Sequence, residues 1–332
     1  MPLIEFTPQG LYCAQGGFYI DPWRPVDKAI ITHAHSDHAR NGNNSYLCHR
    51  LTRPLLEARL GTANHYQTLE WNEMTYMNGV TVSLHPAGHI IGSSQIRVEY
   101  QGEVWVVSGD YKTADDGISG AFEPVRCNTF ITESTFGLPI YNWLPQQTIY
   151  QNIQQWVQHN QQRRVTSVLL AYSLGKAQRL LQPLAAITDT IYVHGAVWNI
   201  HQALANAGVS LPPVEWVTPE TPKEKLKGAV VIAPSSADNE AWLRKFAPYE
   251  VGICSGWMQV RGNTRRSSAD AGFALSDHAD WNGLLSAIKA TGAEKVFVTH
   301  GFQATLARYL NEHGIAAAEV TTEFGNDEEK EN

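Results

Sequence analysis

His-Ala-His-Ser-Asp-His occupies residues 33–38 and follows directly after the apolar run Ala29-Ile30-Ile31. A strand that contains this run would end there and leave three imidazoles and one carboxylate on a tight loop. Neutral imidazole suits zinc, and a carboxylate suits zinc or manganese. His33 and His35 are two positions apart, so in extended chain they point to the same side and can bind one ion. The aspartate and the last histidine then face a second ion, and the stretch predicts a two-metal site.

The length and composition of the chain limit the class of protein to which it can belong. At 332 residues it exceeds the usual single-domain size, and we expect one large domain or two interleaved ones. No apolar run approaches the roughly 20 residues that span a bilayer, and the N-terminus lacks the basic and apolar parts of a signal peptide. The four cysteines show no CxxC spacing and are expected to be reduced. These features predict a cytoplasmic protein without a membrane segment.

The net charge of −7 argues against a broad basic surface for nucleic acid. Two divalent ions, however, would add positive charge at the point where a phosphodiester would bind. Charge therefore does not exclude a phosphate substrate, and it favours contact through a local groove.

The first third of the chain is predicted to form short strands with tight turns. Gln95–Tyr100 and Glu103–Val107, joined by Gln101-Gly102, have the pattern of a hairpin. Polar motifs follow several strands immediately, and strand-end loops at one edge of a sheet can share a cleft. We therefore expect one active site, and a surface loop that is rich in histidine by chance is disfavoured. The other predicted strands are Leu11–Ile20, Ala29–Thr32, Thr81–Leu84 and Thr129–Thr132; the motifs begin at His33, Pro86, Ser108 and Glu133.

The pattern changes near residue 145. Residues 146–162 have apolar side chains at helical spacing, which predicts an amphipathic helix. Strands then alternate with helices, and this alternation is typical of a parallel sheet covered by helices. We predict strands at Val165–Ala171, Thr190–Val193 and Val230–Ala233, with helices from Gly175, through Ile200 and through Asn239.

The first pattern returns after the basic run at residues 265–266. A helix with Leu284, Leu285 and Ile288 on one face leads to the strand Lys295–Thr299, which delivers His300. A last helix is predicted over residues 303–312. The predicted organisation is a discontinuous domain of residues 1–144 and 261–325, an inserted domain of residues 145–260, and an acidic disordered tail of residues 326–332.

The order of the motifs resembles the metallo-β-lactamase fold, in which two β-sheets pack together with helices outside. The motifs that carry this resemblance are His33–His38, Gly88-His89, Ser108-Gly109-Asp110 and Thr299-His300. Further elements resemble motifs A, B and C of its β-CASP nuclease branch: Ile131-Thr132-Glu133, Ser276-Asp277-His278 and Thr299-His300-Gly301, together with residues 171–178. The chain is most similar to bacterial ligase-associated DNA exonucleases, through residues 19–26 and 132–136. The resemblance implies an α/β fold class: an αββα sandwich with an inserted parallel α/β β-CASP domain.

The same resemblance implies two divalent metal ions, zinc or manganese or both, with Asp110 bridging them. Taken singly, Asp110 could be only a turn residue and His300 only a strand-end histidine. Beside the first motif, both are expected to be ligands. The implied ligands of one ion are His33, His35, His89 and Asp110; those of the other are Asp37, His38, Asp110 and His300.

Other acidic and histidine residues are expected to act beside the ligands. Metal-bound histidines usually donate their second nitrogen to a carboxylate or a carbonyl. The resemblance implies this role for Asp21 and Glu133, although Asp21 could also be a simple turn residue before Pro22. His278 is predicted to contact phosphate and to act as general acid, with a third metal-associated or structural histidine as the alternative. Asp37 and Glu133 complete the predicted catalytic set. Asp277 and Asp280 are expected to brace or cap.

The inserted domain is expected to hold a nucleic-acid strand over the metals. Gly175-Lys176 begins a helix after a strand, where backbone N–H groups and a lysine suit a phosphate; a solvated lysine is the alternative. Tyr172 is a predicted base-stacking contact, with a core position as the alternative. The remaining predicted phosphate contacts on strand-end loops are Ser94, Ser134 and Thr135.

The sequence therefore predicts a metal-dependent DNA exonuclease of DNA repair, and the resemblance implies attack from 5′ ends. It also implies a functional association with an ATP-dependent DNA ligase and a helicase. An RNA-processing nuclease is the alternative within the same fold. A small-molecule metallo-hydrolase and a non-catalytic nucleic-acid-binding subunit are weaker alternatives, because an insert is present and all seven ligand candidates are retained.

Overall fold

In the computed structural model, two β-sheets pack together through apolar side chains and form a sandwich. The structure describes residues 2–237, 240–260 and 269–322. It divides into two compact units, the first built from residues up to 142 together with those from 278 onward, and the second from residues 143–277.

The first unit contains two sheets whose inner faces share one core. The core joins Leu11, Phe18 and Ile30 of one sheet to Val82 and Trp105 of the other. The first sheet has its strands in chain order: β1 Glu5–Thr7, β2 Gly10–Cys13, β3 Phe18–Ile20, β4 Lys28–Ile30, β5 Ser45–His49 and β6 Tyr66–Leu69. The second has the order β19-β18-β11-β10-β9-β8-β7, with β7 Met74–Met77, β8 Val80–Pro86, β9 Ser94–Tyr100, β10 Glu103–Val107, β11 Thr129–Thr132, β18 Lys295–Val298 and β19 Ala316–Glu319.

Helices cover this sandwich. Along β10, Trp105 and Val107 face the inner core, whereas Val106 lies in a second cluster with Leu284 and Leu306 of two helices. The side chains of a strand alternate between the two faces of a sheet, so the outer face of the second sheet needs this helical layer. The helices of the first unit are α1 Arg53–Leu60, α7 Trp281–Thr291 and α8 Gln303–Glu312.

Four strands of the second sheet end at the same edge. β10, β11 and β18 are neighbours in parallel. β8 runs antiparallel to β9, which runs antiparallel to β10, so β8 points in the same direction. This geometry brings the residues that follow these strands to one end of the sandwich.

The second unit contains a parallel sheet with an apolar core on each face. Its strand order is β14-β13-β15-β12-β16-β17, with β12 Thr166–Leu170, β13 Ile191–Val193, β14 Glu215–Trp216, β15 Val230–Ala233, β16 Tyr249–Cys254 and β17 Ala271–Phe273. Among its described residues, the helices are α2 Gln146–Gln162, α3 Lys176–Ala185, α4 Gly195–Asn206, α5 Lys223–Leu226 and α6 Glu240–Leu243, with 3-10 turns at Ser235–Ala237, Arg244–Phe246 and Gly256–Gln259.

The structure corrects two predicted elements. The predicted strand Leu11–Ile20 is two antiparallel strands, β2 and β3, because the chain turns at Gly17, whose φ is 69° and whose N–H donates to the Cys13 carbonyl. The predicted helix after β15 is a 3-10 turn over Ser235–Ala237, followed by the short α6. The hairpin of β9 and β10 and the helices over residues 146–162 and 303–312 have the predicted bounds or nearly so.

The unit boundaries differ from the predicted domain boundaries. The second unit extends to residue 277 rather than 260, because β17 pairs in parallel with β16 and thereby belongs to its sheet. The predicted disordered tail lies outside the described residues. Among the described helices, none is long and apolar enough to cross a membrane.

Candidate metal centre

Strand ends of the first unit deliver the predicted ligands to one place. The loop after β4 carries residues 33–38, and the other ligands follow β8, β10 and β18 directly. All seven are buried: His33, His35, Asp37, His38, His89, Asp110 and His300.

The first cluster consists of His33, His35, His89 and Asp110, whose potential ligand atoms lie within 4.8 Å of one another. His35 Nδ1 and His89 Nε2 face each other at 3.0 Å. Asp110 Oδ2 lies 3.5 Å from His33 Nε2 and 3.8 Å from His89 Nε2. The cluster therefore presents three imidazole nitrogens and one carboxylate, which is a donor set that zinc accepts.

The second cluster consists of Asp37, His38 and His300. Asp37 Oδ2 lies 3.6 Å from His38 Nε2 and 3.8 Å from His300 Nε2. His38 Nε2 is also 3.5 Å from Asp110 Oδ2. Asp110 thus borders both clusters, which is the arrangement that a bridging ligand requires.

Two buried atoms at the centre fit a bound cation. His33 Nε2 and Asp110 Oδ1 make no hydrogen bond to any described residue, and leaving such atoms unsatisfied is costly unless a ligand engages them. Burial lowers the pKa of His33 well below its usual range, and the neighbouring imidazoles, His38 first, lower it further. His33 is therefore neutral, as a metal ligand must be.

Negative charge is concentrated around His38. Burial opposes protonation of this imidazole, yet the carboxylates of Asp37, Asp110 and Asp21 raise its pKa well above the usual value. Burial raises the pKa of Asp110 to about 6, against the opposing effect of His38. The carboxylates that stabilise a positive charge on His38 would also stabilise a divalent cation bound at the same place.

Hydrogen bonds orient the ligand histidines of the first loop. Asp21 Oδ2 lies 2.7 Å from His38 Nδ1, and the same carboxylate accepts from the Thr32 hydroxyl at 2.5 Å and from the Thr32 N–H at 2.8 Å. The Thr32 hydroxyl, having donated its proton, accepts from His33 Nδ1 at 3.0 Å. Both rings therefore carry their proton on Nδ1 and leave Nε2 for a metal.

Thr32 and Thr299 were missed at the level of sequence. Each precedes a ligand histidine directly, and each hydroxyl lies near Nδ1 of that histidine. The repeated Thr-His pair at residues 32–33 and 299–300 was the available signal.

Glu133 holds His278 beside the clusters. Its two carboxylate oxygens lie 2.9 and 3.1 Å from His278 Nδ1, and Oε1 also accepts from the Tyr111 N–H at 2.7 Å. Burial opposes ionisation of Glu133, but His278 outweighs it and lowers the pKa of this carboxyl. The His278 ring lies 4.7 Å from that of His89, measured between centroids. Asp110, Glu133 and His278 form a further group that could hold a metal.

Ser94 and Ser134, two of the predicted phosphate contacts, have hydroxyls that bond other groups of the protein. Both are fully buried. The Ser94 hydroxyl donates to the Gly92 carbonyl and accepts from Trp71 Nε1, and the Ser134 hydroxyl lies within hydrogen-bond distance of the carbonyls of Thr299 and His300, which share its one proton. Both hydroxyls are therefore engaged by the protein itself.

The remaining predicted nucleic-acid contacts are Thr135 in the first unit and Tyr172 and Lys176 in the second. Thr135 is buried, and its N–H donates to Glu133 at 3.4 Å. In the second unit, Lys176 is buried rather than solvated, with its Nζ 3.3 Å from Asp277 Oδ1 and 4.4 Å from the ring centre of Tyr172. Asp277 thus pairs with a lysine, and Asp280 caps α7 by accepting from the Gly283 N–H.

Comparison with known proteins identifies the type of domain that contains most of these residues. Residues 21–154, which contain six of the seven clustered ligands, match the model of the Metallo-beta-lactamase superfamily. The chain carries a metallo-β-lactamase domain. The predicted fold class is thereby confirmed, and six of the seven potential metal ligands lie in the type of domain that the resemblance implied.

Similar proteins have longer chains than this one. The chain is 30% identical over 317 residues to a probable DNA ligase of Opitutus terrae, a match that covers 95% of this chain and 30% of the relative. It is 26% identical over 117 residues to endoribonuclease YSH1 of Saccharomyces cerevisiae, covering 35% of this chain and 15% of the relative. The chain thus spans under a third of the length of these relatives.

A solved structure shares the fold. A protein of unknown function from Enterococcus faecalis V583 superposes with a TM-score of 0.61 over 90% of this chain and 80% of its own. The two sequences are 12% identical, so the likeness concerns the fold alone.

Proposed function

We propose that this protein is a two-metal phosphodiester hydrolase of the β-CASP branch that degrades DNA from 5′ ends as an exonuclease in DNA repair. The observation that carries the proposal is the meeting of two ligand clusters at Asp110 in a metallo-β-lactamase domain. In this proposal the second unit, residues 143–277, corresponds to the inserted β-CASP domain that was predicted over residues 145–260.

The residues of the two clusters would hold two divalent ions, zinc or manganese or both. Divalent ions in such a site supply Lewis acidity toward a phosphodiester and lower the pKa of water. The protein orients the histidine ligands through Asp21, Thr32 and Thr299. It also buries the site, and burial strengthens electrostatic interactions there.

His278 is the proposed contact for phosphate and the proposed general acid. Its Nδ1 is held by Glu133 at 2.9 Å, which leaves Nε2 to give a proton to the leaving oxygen. Because Glu133 remains ionised beside it, the positively charged ring is stabilised. Glu133 acts through His278 and is therefore a positioning residue, whereas Asp37 acts as a metal ligand.

DNA is the favoured substrate. The relative that matches nearly the whole chain is named a probable DNA ligase, and a nuclease domain joined to a ligase would act on the same nucleic acid. This supports a functional association with an ATP-dependent DNA ligase; association with a helicase rests on the family resemblance. The second candidate is RNA, because the relatives that match about a third to a half of the chain are named endoribonucleases.

The decisive experiment supplies Mn²⁺ or Zn²⁺ to chelator-treated protein with single-stranded DNA labelled at either end, the matching RNA and a thioester. We expect mononucleotide release from the 5′ end of DNA, dependent on added metal, and loss of this activity in Asp37→Ala and His278→Ala. Asp27→Ala, an exposed aspartate on the preceding loop, is the matched control. Cleavage of RNA alone would overturn the DNA assignment, and undiminished activity of Asp37→Ala would overturn the two-metal site.

A further inference from the structure

The turn that carries His300 has an unusual backbone conformation. His300 has a φ of 56°, and the following Gly301 also has a φ of 56°. The left-handed region is unfavourable for a residue with a side chain, and such residues persist only where the surroundings hold them. The turn brings His300 Nε2 to 3.8 Å from Asp37 Oδ2. The position of this ligand therefore depends on what holds the turn.

Ser134 holds the backbone of this turn. Its hydroxyl reaches the carbonyl oxygens of both Thr299, at 3.1 Å, and His300. Its own carbonyl accepts from the Phe302 N–H at 2.9 Å. Gly301 packs so closely on Ser134 that a Cβ at Gly301 would lie 2.3 Å from the Ser134 carbonyl oxygen. Ser134 alone thus contacts the residue before the left-handed pair, the pair itself and the residue after it.

Thr299 controls the ring of His300. Its hydroxyl lies 3.1 Å from the Thr132 carbonyl and 3.3 Å from His300 Nδ1. A carbonyl only accepts, so the hydroxyl donates its single proton to Thr132 and must accept from His300 Nδ1–H. The proton on Nδ1 leaves His300 Nε2 with a lone pair directed toward the second cluster.

We propose that the hydroxyls of Ser134 and Thr299 position His300 for the second metal ion, one by holding the backbone turn and the other by fixing the imidazole tautomer. The inference rests on the proposed two-metal site. It gives Ser134 a role in metal binding in place of a phosphate contact. The first cluster, His33, His35, His89 and Asp110, uses neither hydroxyl in the hydrogen bonds of the described residues.

The test is a calorimetric titration of metal-free protein with Zn²⁺, in the wild type, Ser134→Ala and Thr299→Val. Both variants should bind one ion with near wild-type affinity and the other about 10–100-fold more weakly, the usual effect of removing an outer-shell partner. The matched control is Ser83→Ala, a buried serine of the same sheet whose hydroxyl bonds His85. It should bind both ions as the wild type does.

Circular dichroism melts establish which variants fold, and Thr299→Val, which keeps the side-chain volume, tests the proposal if Ser134→Ala does not fold. Two ions bound with wild-type affinity in either folded variant would overturn the proposal, as would equal weakening of both ions. Because the readout is metal affinity, weakened binding of one ion supports the proposal even if the wild type cleaves no nucleic acid.

Discussion

Asp21 Oδ2 lies 2.7 Å from His38 Nδ1, so a carboxylate that precedes the metal loop orients a ligand of the second cluster. The same carboxylate binds the hydroxyl of Thr32, which in turn accepts from His33 of the first cluster. A single acidic side chain therefore fixes one histidine in each cluster. Asp21 itself is fully buried with a φ of 43°, so the chain adopts a costly conformation to bring it there.

Asp21→Asn should weaken the binding of both ions by about 10–100-fold. The amide NH₂ cannot accept the protons that His38 and Thr32 donate, so the tautomers that leave Nε2 for the metal lose their support. Zinc titration of metal-free protein measures the effect. Asp27→Asn, an exposed residue that accepts from Asn44, is the control, and wild-type affinity in Asp21→Asn would contradict the shared role.

Gly109→Ala should destabilise the protein by roughly 2–5 kcal/mol, the sum of backbone strain and overpacking. Gly109 has a φ of 55°, and a Cβ there would lie 2.6 Å from the side chain of Thr32. Gly102→Ala is the matched control, because Gly102 has a φ of 85° and nothing within 4 Å of a new Cβ; it should cost only about 1–2 kcal/mol. Denaturant unfolding compares them, and equal losses would show that contact with Thr32 is unimportant.

Glu133→Gln should lower kcat on DNA by roughly 100-fold while the protein keeps both metal ions. Without the charge of Glu133, His278 loses the partner that stabilises its protonated ring, and general acid catalysis is typically worth at least this factor. Metal content by mass spectrometry and single-turnover kinetics separate the two effects. Glu103→Gln, an exposed residue bonded to Trp105, serves as control. Loss of a metal ion in Glu133→Gln would indicate that Glu133 is itself a metal ligand.

His49 should make the metal-free protein sensitive to acid. Burial lowers its pKa from 6.5 to about 4; the ring stacks on Trp71 at 4.2 Å, and Nδ1 accepts from the Leu51 N–H. Between pH 6.5 and 4 the unfolded chain binds the proton and the folded chain does not, so this contribution is complete above pH 6.5 and is lost as the pH falls toward 4.

The difference in unfolding free energy between the wild type and His49→Phe isolates this effect, because the other titrating groups cancel. It should change by at most about 3 kcal/mol between pH 7 and pH 4. If the difference in unfolding free energy between the wild type and His49→Phe does not change with pH, protonation of His49 does not destabilise the folded protein.

Several elements were predictable because their signals are local. The spacing of Ile149, Ile153 and Val157 predicted α2, and the alternation around Gln101-Gly102 predicted the β9–β10 hairpin. The single strand predicted over Leu11–Ile20 failed because hydrophobic alternation alone does not register the turn at Gly17. The sequence did not indicate that the hydroxyl of Ser134 bonds the carbonyl of Thr299, because that partner lies 165 residues along the chain.

The amino-acid sequence by itself determined the chemistry of the donors: the histidines and aspartates of the loop after β4, and those that follow β8, β10 and β18, are the residue types that divalent metals bind. Only the tertiary structure decided which atoms meet. Asp110 borders both clusters, and the hydroxyl of Ser134 reaches a carbonyl 165 residues away, because β11 and β18 pair in parallel. Residue type is local, but hydrogen-bond partners and histidine tautomers depend on strand pairing between distant segments, which spacing along the chain does not encode.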